Sequence, residues 1–426
     1  MQKKLIALAV AGLASAGAFA QSNVTIYGVA DGSFESVSAN GASSGTGYAS
    51  RTRIATNSSL IGFKGTEDLG NGLKAMFQVE NQISLDGPSG TTTNSQSTGN
   101  GWNTRDTFVG LSGGFGAVLA GYISTPQRST AAKYDLMPGA TGSGSSLNMI
   151  GRVNLGGVAQ GALGTTNNFS ESTAVGGGQS VTNNVGTIFR SQALAYVTPV
   201  FNGFNGVIAY VPNENRDNTA TGTGYKRNQY GWNAAANYAN GPINVSLAYL
   251  KLNDIGAISA IGGAGAPFSG DQNHTNWLLG ASYDLSPSTK VSFMYDNFKG
   301  KLGLSAGGEV EVKRNAFYLA GKQSFGANEI VLAYMKNGDN KVSGLAGNFG
   351  NSGAQAWSLR LAHNFSKRTQ AYAIYTQIRN ESNAVYDFNG FNSVAPAGTG
   401  GTGGGVGTLN AGADPRVLGV GVRHNF

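Results

Sequence analysis

The chain has 426 residues, with 66 glycines, no cysteine and three histidines, and its 29 basic and 22 acidic side chains give a formal net charge of +7. These numbers exclude a disulfide framework and a thiol metal site, and His274, His363 and His424 are too scattered to form a metal cluster. A charge this modest and this evenly spread also excludes a nucleic-acid partner, so most charged side chains read as solvated surface.

At the N-terminus, Lys3 and Lys4 precede an apolar run over residues 5–19, and Ala18-Phe19-Ala20 has the small-x-small form of a cleavage site. That is the pattern of a secretory signal peptide over residues 1–20, too short to be a spanning helix. Removing Lys3 and Lys4 leaves 27 basic against 22 acidic side chains, a mature net charge near +5. No later segment offers 18 apolar residues in a row, so any membrane crossing must use strands.

Beyond residue 20, alternation with period two predicts strand after strand. The expected strands are 24–37, 60–67, 73–85, 105–111, 117–123, 192–199, 204–211, 229–238, 243–252, 276–285, 290–298, 313–325, 329–336, 355–365, 369–379 and 416–426. That makes 16, an even number, each near the length that crosses a bilayer at a tilt. Short turns such as Asn202-Gly203, Asn240-Gly241-Pro242, Ser286-Pro287-Ser288 and Ser366-Lys367-Arg368 alternate with long Gly/Ser/Thr/Asn loops. The long ones cover roughly 38–58, 86–103, 124–190, 212–228, 253–275, 299–312, 337–354 and 380–415. Connections sorted in this way fit an all-β, antiparallel transmembrane β-barrel with long external loops, and closure removes sheet edges that lipid cannot satisfy. Residues 21–426 read as one barrel domain, with the glycines of 398–407 at a loop tip rather than a boundary.

The last strand states the facing. Leu418, Val420, Val422, His424 and Phe426 fall on one side, and Gly419, Gly421, Arg423 and Asn425 on the other. An apolar outer face, a polar inner face and a terminal aromatic suit the strand that closes a membrane barrel.

Several segments carry a resemblance. Val24-Thr25-Ile26-Tyr27-Gly28-Val29-Ala30-Asp31, the run from Ile61-Gly62-Phe63-Lys64-Gly65 through Asp68-Leu69-Gly70-Asn71-Gly72, Tyr196-Val197-Thr198-Pro199 and Gly421-Val422-Arg423-His424-Asn425-Phe426 match in order and position. By these segments the chain resembles a general diffusion porin of the Gram-negative outer membrane, closest to the beta-proteobacterial type. The resemblance implies a homotrimer of 16-stranded barrels in outer-membrane lipid and lipopolysaccharide, passing small hydrophilic solutes and ions. It implies too that the third loop, 124–190, folds inward. There Tyr134-Asp135-Leu136 with Ala140-Thr141-Gly142 resembles the in-folded segment, and Asp135 would place a carboxylate at the constriction. Opposite it, anion-preferring members carry arginines. Arg105 fits cleanly; the position before Ile61 is Leu60, and the basic residue before the sixth strand falls at Phe189, with Arg190 one place off. A one-residue slip changes the face, so Arg190 needs a bulge to reach the lumen. Arg51 and Arg53 share a face if extended, and Arg423 lies on the polar face of the closing strand.

A unit charge about 7 Å from a permeating ion contributes roughly 0.6 kcal/mol in water, so three arginines give about 2 kcal/mol before screening. Physiological salt cuts this to under about 1 kcal/mol. The expected function is a passive, weakly anion-selective diffusion channel without a tight binding site. The alternatives are a substrate-specific porin and a structural or adhesive barrel with a closed lumen. No catalytic site, cofactor or metal is expected: no histidine has an evident Ser or Asp partner, and Gly262-Gly263-Ala264-Gly265 lacks the Lys and helix of a phosphate loop.

Overall fold

A computed structural model describes residues 23–43, 45–85, 105–137, 142–153, 185–186, 190–213, 228, 230–253, 268–304, 308–344, 348–388, 393–394 and 409–426. The expected signal peptide, Ala140-Thr141, Phe189 and the glycine-rich 398–407 stretch lie outside these residues.

Eighteen hydrogen-bonded segments form one sheet among the described residues. Two of them continue a neighbour across a short break, so the wall has 16 strands, as the alternation predicts. In chain order they begin with β1 (Asn23–Asn40), β2 (Tyr48–Thr56 continued by Leu60–Gly70), β3 (Leu73–Gln82), β4 (Thr107–Gly113) and β5 (Gly116–Ser124). After helix α1 (Pro126–Tyr134) come β6 (Arg190–Val197), β7 (Phe204–Val211), β8 (Tyr230–Asn240), β9 (Ile243–Asn253), β10 (Phe268–Ser286) and β11 (Thr289–Leu304). The series ends with β12 (Glu309–Phe325), β13 (Asn328–Asn337 continued by Lys341–Ser343), β14 (Ala354–Asn364), β15 (Thr369–Asn380) and β16 (Asp414–Asn425). Every neighbour pair is antiparallel, and β16 pairs with β1 from Val29↔Asn425 to Asn40↔Asp414, which closes the barrel. The terminal carboxyl-end residue seals the seam: Gly28 N donates to Phe426 O at 2.9 Å and Phe426 N to Gly28 O at 3.1 Å. A Cβ at Gly28 would lie 2.3 Å from the Phe426 ring, so only glycine admits the aromatic there.

The faces fall as the alternation requires. Leu418, Val420 and Val422 are 60%, 58% and 53% exposed, while Val417 and Gly419 on the other side are buried. Outward-facing rings pair across strands, Tyr210 with Trp232 at 4.8 Å, Tyr249 with Trp277 at 4.3 Å and Tyr334 with Trp357 at 4.3 Å between centroids. Amphipathic rings in such a row mark a membrane–water boundary. Among the described residues no helix is long and apolar enough to cross a membrane.

Four expectations are corrected. The second strand starts at Tyr48 rather than 60, because a break at Asn57-Ser58-Ser59, with Ser58 at φ 58°, splits one strand into two patterns. The strands expected over 276–285 and 290–298 extend to Phe268 and Leu304, into what read as loops. Lys341–Ser343 resumes β13 after Gly338-Asp339-Asn340, within an expected loop. The 124–190 segment carries helix α1, whose signals are local: Pro126 opens it and Thr125 caps it, accepting from Arg128 N at 3.3 Å.

Candidate functional site

The third long connection turns into the barrel and is nailed there. Helix α1 lies along the inner wall of the middle strands, over small and apolar side chains such as Ala248, Leu278 and Met294. Its last residue, Tyr134, is wholly buried against Gly280; its hydroxyl meets Ser246 Oγ at 2.8 Å, and its carbonyl accepts from Ser292 Oγ at 2.6 Å. Further on, Leu136 N donates to Tyr318 Oη at 2.9 Å, Gly151 N to Asp296 Oδ2 at 3.1 Å and Asn337 Nδ2 to Met149 O at 2.9 Å. Asp296 also holds Arg314 at 2.7 Å, a pair fully buried on the wall of β11 and β12. On the far side Ser143 Oγ reaches Glu35 Oε1 of β1 at 3.3 Å. The loop thus crosses the interior from the wall of β9–β13 to that of β1, and a cavity of only about 20 Å³ separates residues 142–145 from Asp31, Glu35, Arg360 and Tyr372.

Asp135 is half-buried and turned into the loop itself. Its carboxylate accepts from Met137 N at 2.9 Å, Ser146 N at 2.7 Å, Ser145 Oγ at 3.2 Å and Tyr318 Oη at 3.3 Å. Burial, only partly offset by these bonds, pushes its carboxyl above the ordinary carboxylate range.

The arginines fall in two groups. In the first, Arg105 Nε donates to Glu80 Oε2 at 3.2 Å, and Tyr27 Oη to Glu80 Oε1 at 2.8 Å. The register from Ala117↔Val197 to Ser124↔Arg190 holds no bulge, so Arg190 shares the parity of exposed Leu194 and Tyr196; its side chain nonetheless reaches Asp106 Oδ2 at 2.8 Å, and Ser124 Oγ donates to the same oxygen at 3.0 Å. The guanidinium of Arg128, from α1, joins this group: burial and the charges of Arg190 and Arg105 hold its pKa well below the usual arginine value. In the second group Arg53 grips Glu35 Oε2 through Nε at 2.9 Å and Nη2 at 2.8 Å, and donates from Nη1 to Ser393 O at 2.7 Å. Arg51 shares its face and donates to Val394 O at 2.5 Å. Arg423 pairs with Asp31 at 3.0 Å; Arg360 stands 4.6 Å over the Tyr372 ring and 3.5 Å from Glu329.

Of the residues singled out in sequence, the structure therefore brings Arg105 with Arg190, and Arg53 near Arg423 through the shared strand β1. Asp135 stands apart from both. Sequence reasoning missed Arg128 and Arg360 and the carboxylates Asp31, Glu35, Glu80, Asp106 and Glu329. Inward parity pointed to Arg360, between Ser358 and Ala362, but the alternation by itself assigns no partner.

Comparison with known proteins agrees with this architecture. A sequence profile for the Gram-negative porin family matches residues 7–383. The chain is 30% identical over 427 residues to outer membrane porin protein 32 of Delftia acidovorans, covering all of both chains. It is 31% identical over 217 residues to major outer membrane protein P.IB of Neisseria gonorrhoeae, about half of each chain (50% and 49%). Among solved structures it resembles an anion-selective porin from Comamonas acidovorans, with a TM-score of 0.64 and 25% identity over 95% of this chain and 100% of that one. A trimer form of OmpT from Vibrio cholerae shares the fold, with a TM-score of 0.58 and 14% identity over 95% of this chain and 99% of that one.

Proposed function

The chain belongs to the Gram-negative porin family, and we propose that it is a passive, weakly anion-selective outer-membrane channel for ions and small hydrophilic solutes. Diffusion through an outer-membrane barrel, without catalysis, follows from the family. The selectivity is the finer reading, and one observation carries it. Seven arginines (51, 53, 105, 128, 190, 360 and 423) stand around the docked loop, against six carboxylates, Asp31, Glu35, Glu80, Asp106, Glu329 and, beside Arg51, Asp387. A surplus of positive charge on one wall attracts anions, and its small size keeps the preference to several-fold at most. The anion-selective Comamonas porin supports the sign. In this reading Arg53, Arg105, Arg190 and Arg423 act on the permeating ion, and Asp135 acts through the loop it pins.

Homotrimeric assembly, and export with cleavage after Ala20, belong to the same proposal; the trimer form of OmpT supports assembly only through the shared fold. The test is single-channel conductance of purified, unheated protein in a planar bilayer under a salt gradient. Triplet steps with an anion-biased reversal potential are expected. A cation-biased reversal overturns the selectivity, saturation by one solute class would mark a substrate-specific channel, and silence from folded protein would mark a closed barrel. The mass of the mature chain, beginning at Gln21, checks the cleavage.

A further inference from the structure

The last long connection enters the external mouth of the barrel before it returns to the wall. Just beyond β15, Val385, Tyr386 and Phe388 are buried in the same apolar cluster as Ile150 of the third connection and Val37 on the inner face of β1. Three guanidinium groups hold the backbone of this segment. Arg152 Nη1 donates to Asp387 O at 2.8 Å, Arg53 Nη1 to Ser393 O at 2.7 Å and Arg51 Nη2 to Val394 O at 2.5 Å. Residues 384–388 and 393–394 therefore form a strap in the external opening, seated on the in-folded loop.

The root of the strap is tied to the neighbouring connection through two carboxyl groups. Glu381 N donates to Gly353 O at 3.0 Å and Asn383 N to Asn351 O at 2.9 Å. Asp339, in the break of β13, accepts from Ser352 N at 2.8 Å and Gly353 N at 2.9 Å, and Glu381 Oε2 accepts from the same Gly353 N at 3.2 Å. Two carboxyl groups on one N–H stand within reach of each other, and a hydrogen bond joins them. That bond needs a proton, because two ionised carboxylates can only accept.

The surroundings decide which group holds the proton. Partial desolvation raises the Asp339 carboxyl, but hydrogen bonds from Glu381 and from backbone N–H groups outweigh it and hold Asp339 below the ordinary carboxylate range. Partial desolvation, with the hydrogen bond and charge of Asp339, pushes Glu381 up. The proton therefore sits on Glu381 and points at Asp339. The other charges at the root are Lys336 of β13, which favours ionised Glu381, and Asp414 beside Arg379, where β16 and β15 adjoin. Both acids of the pair are exposed at the external rim, so bulk pH sets their charge. Once Glu381 ionises, the bond is lost and two like charges face each other across one N–H. The docked root favours the protonated pair, so it holds fastest below the ordinary carboxylate pKa and loosens as pH rises through the raised value of Glu381.

We propose that Asp339 and Glu381 form a proton-operated catch for the strap, which narrows the external opening in acid and frees it as the medium turns neutral. A freed strap takes three carbonyls away from Arg51, Arg53 and Arg152, so the mouth widens and gains exposed positive charge in one movement. The catch is separate from Asp135, which pins the third connection through Ser145, Ser146 and Tyr318. It goes beyond the channel reading and does not depend on the sign of the selectivity.

The chain has no cysteine, so V385C places a single thiol on the buried side of the strap. The experiment measures its rate of reaction with a charged maleimide, in the purified full-length protein in neutral detergent, at about pH 4 and about pH 8, either side of the carboxylate range. Each rate is divided by that of K367C, an exposed thiol in a turn at the opposite rim, which cancels the ionisation of the thiol itself. The ratio should rise at least about fivefold from acid to alkaline pH, the effect of two like charges at contact range in water. Glu381→Gln donates to Asp339 at every pH, and Asp339→Asn removes one of the two charges. V385C/E381Q and V385C/D339N should therefore keep the acid ratio at alkaline pH, while V385C/D135N should retain the rise. A rise that persists in both E381Q and D339N overturns the catch, as does a V385C ratio that does not change with pH. Single-channel conductance of the cysteine-free protein should grow with pH more in wild type than in E381Q, and equal growth overturns the effect on the opening. Labelling reads the strap even in a silent barrel, which keeps a failure of the catch distinct from a failure of the channel reading.

Discussion

Replacing Gly280 with alanine tests whether the in-folded loop is held by shape. A Cβ built on Gly280 lies 2.1 Å from Tyr134 Cδ2 and 2.5 Å from Cε2, whereas ordinary contact begins at 3.4 Å, so the ring must retreat about 1.3 Å, the difference of those two distances. Tyr134 has no room to give by itself: it is wholly buried, its hydroxyl is tied to Ser246 at 2.8 Å and its carbonyl to Ser292 at 2.6 Å. Overpacking of this kind costs about 1–3 kcal/mol. The closed 16-strand wall makes the backbone of β10 the harder element to move, so the strain falls on the docking of α1. About 2 kcal/mol shifts the docked-to-undocked ratio about 30-fold. The expected phenotype is a barrel as heat-resistant as wild type, with noisier single-channel currents and a smaller anion bias, since Arg128 leaves with the helix. Conductance traces at fixed voltage, beside electrophoretic mobility of unheated protein, read both. G280A currents with wild-type noise and reversal would refute the docking argument.

Neutralising Arg190 (R190Q) leaves Asp106 facing the lumen without its partner at 2.8 Å, and the anion-to-cation permeability ratio should fall about twofold; an unchanged reversal potential removes Arg190 from the selective wall. E35Q acts in the opposite sense, because it releases the charge of Arg53 from its 2.8 Å ion pair, and the same ratio should rise about twofold. A fall instead would mean that Glu35 serves only to place Arg53 and the loop residue Ser143. Asp135 sets a pH dependence whose sign is fixed by its raised carboxyl. The docked loop favours the protonated form, so docking is strongest below the ordinary carboxylate pKa and weakens as pH rises through the raised value. Current noise should accordingly diminish on acidification, and D135N should flatten that dependence; a D135N channel with the wild-type pH profile would exclude Asp135 as its source.

Much of the barrel was legible because the membrane imposes a simple rule on each strand. Alternation alone assigned Leu418, Val420 and Val422 to lipid and Gly419 and Gly421 to the interior, since one slip would reverse every side chain. What escaped was set by breaks in the rule. Ser58 in the left-handed region let β2 skip a step, so a strand beginning at Tyr48 read as loop followed by a strand at 60. Helix α1 gains its stability from packing against the inner wall, and nine residues between Ser124-Thr125 and Asp135-Leu136 give no helical period to find. Arg128 was hidden with it.

The charges were harder to read for a different reason. A sequence names each arginine, but its effect on an ion depends on what neutralises it, and partners sit far away in the chain: Arg423 with Asp31, Arg190 with Asp106, Arg360 with Glu329. These pairs also explain why selectivity should stay weak. Buried charges of one sign are costly, so the wall that must hold several guanidinium groups in place supplies carboxylates to hold them. Each carboxylate positions an arginine and cancels most of its field at a distance. In the proposed reading the residual preference rests on the field that Arg53, Arg105, Arg190 and Arg423 keep beyond their carboxylates, with Arg51, on a backbone carbonyl, and Arg128, beside Arg190 and Arg105, adding to it. Rigid placement and strong selectivity oppose each other in this wall, and seven arginines against six carboxylates leave the balance on the side of placement.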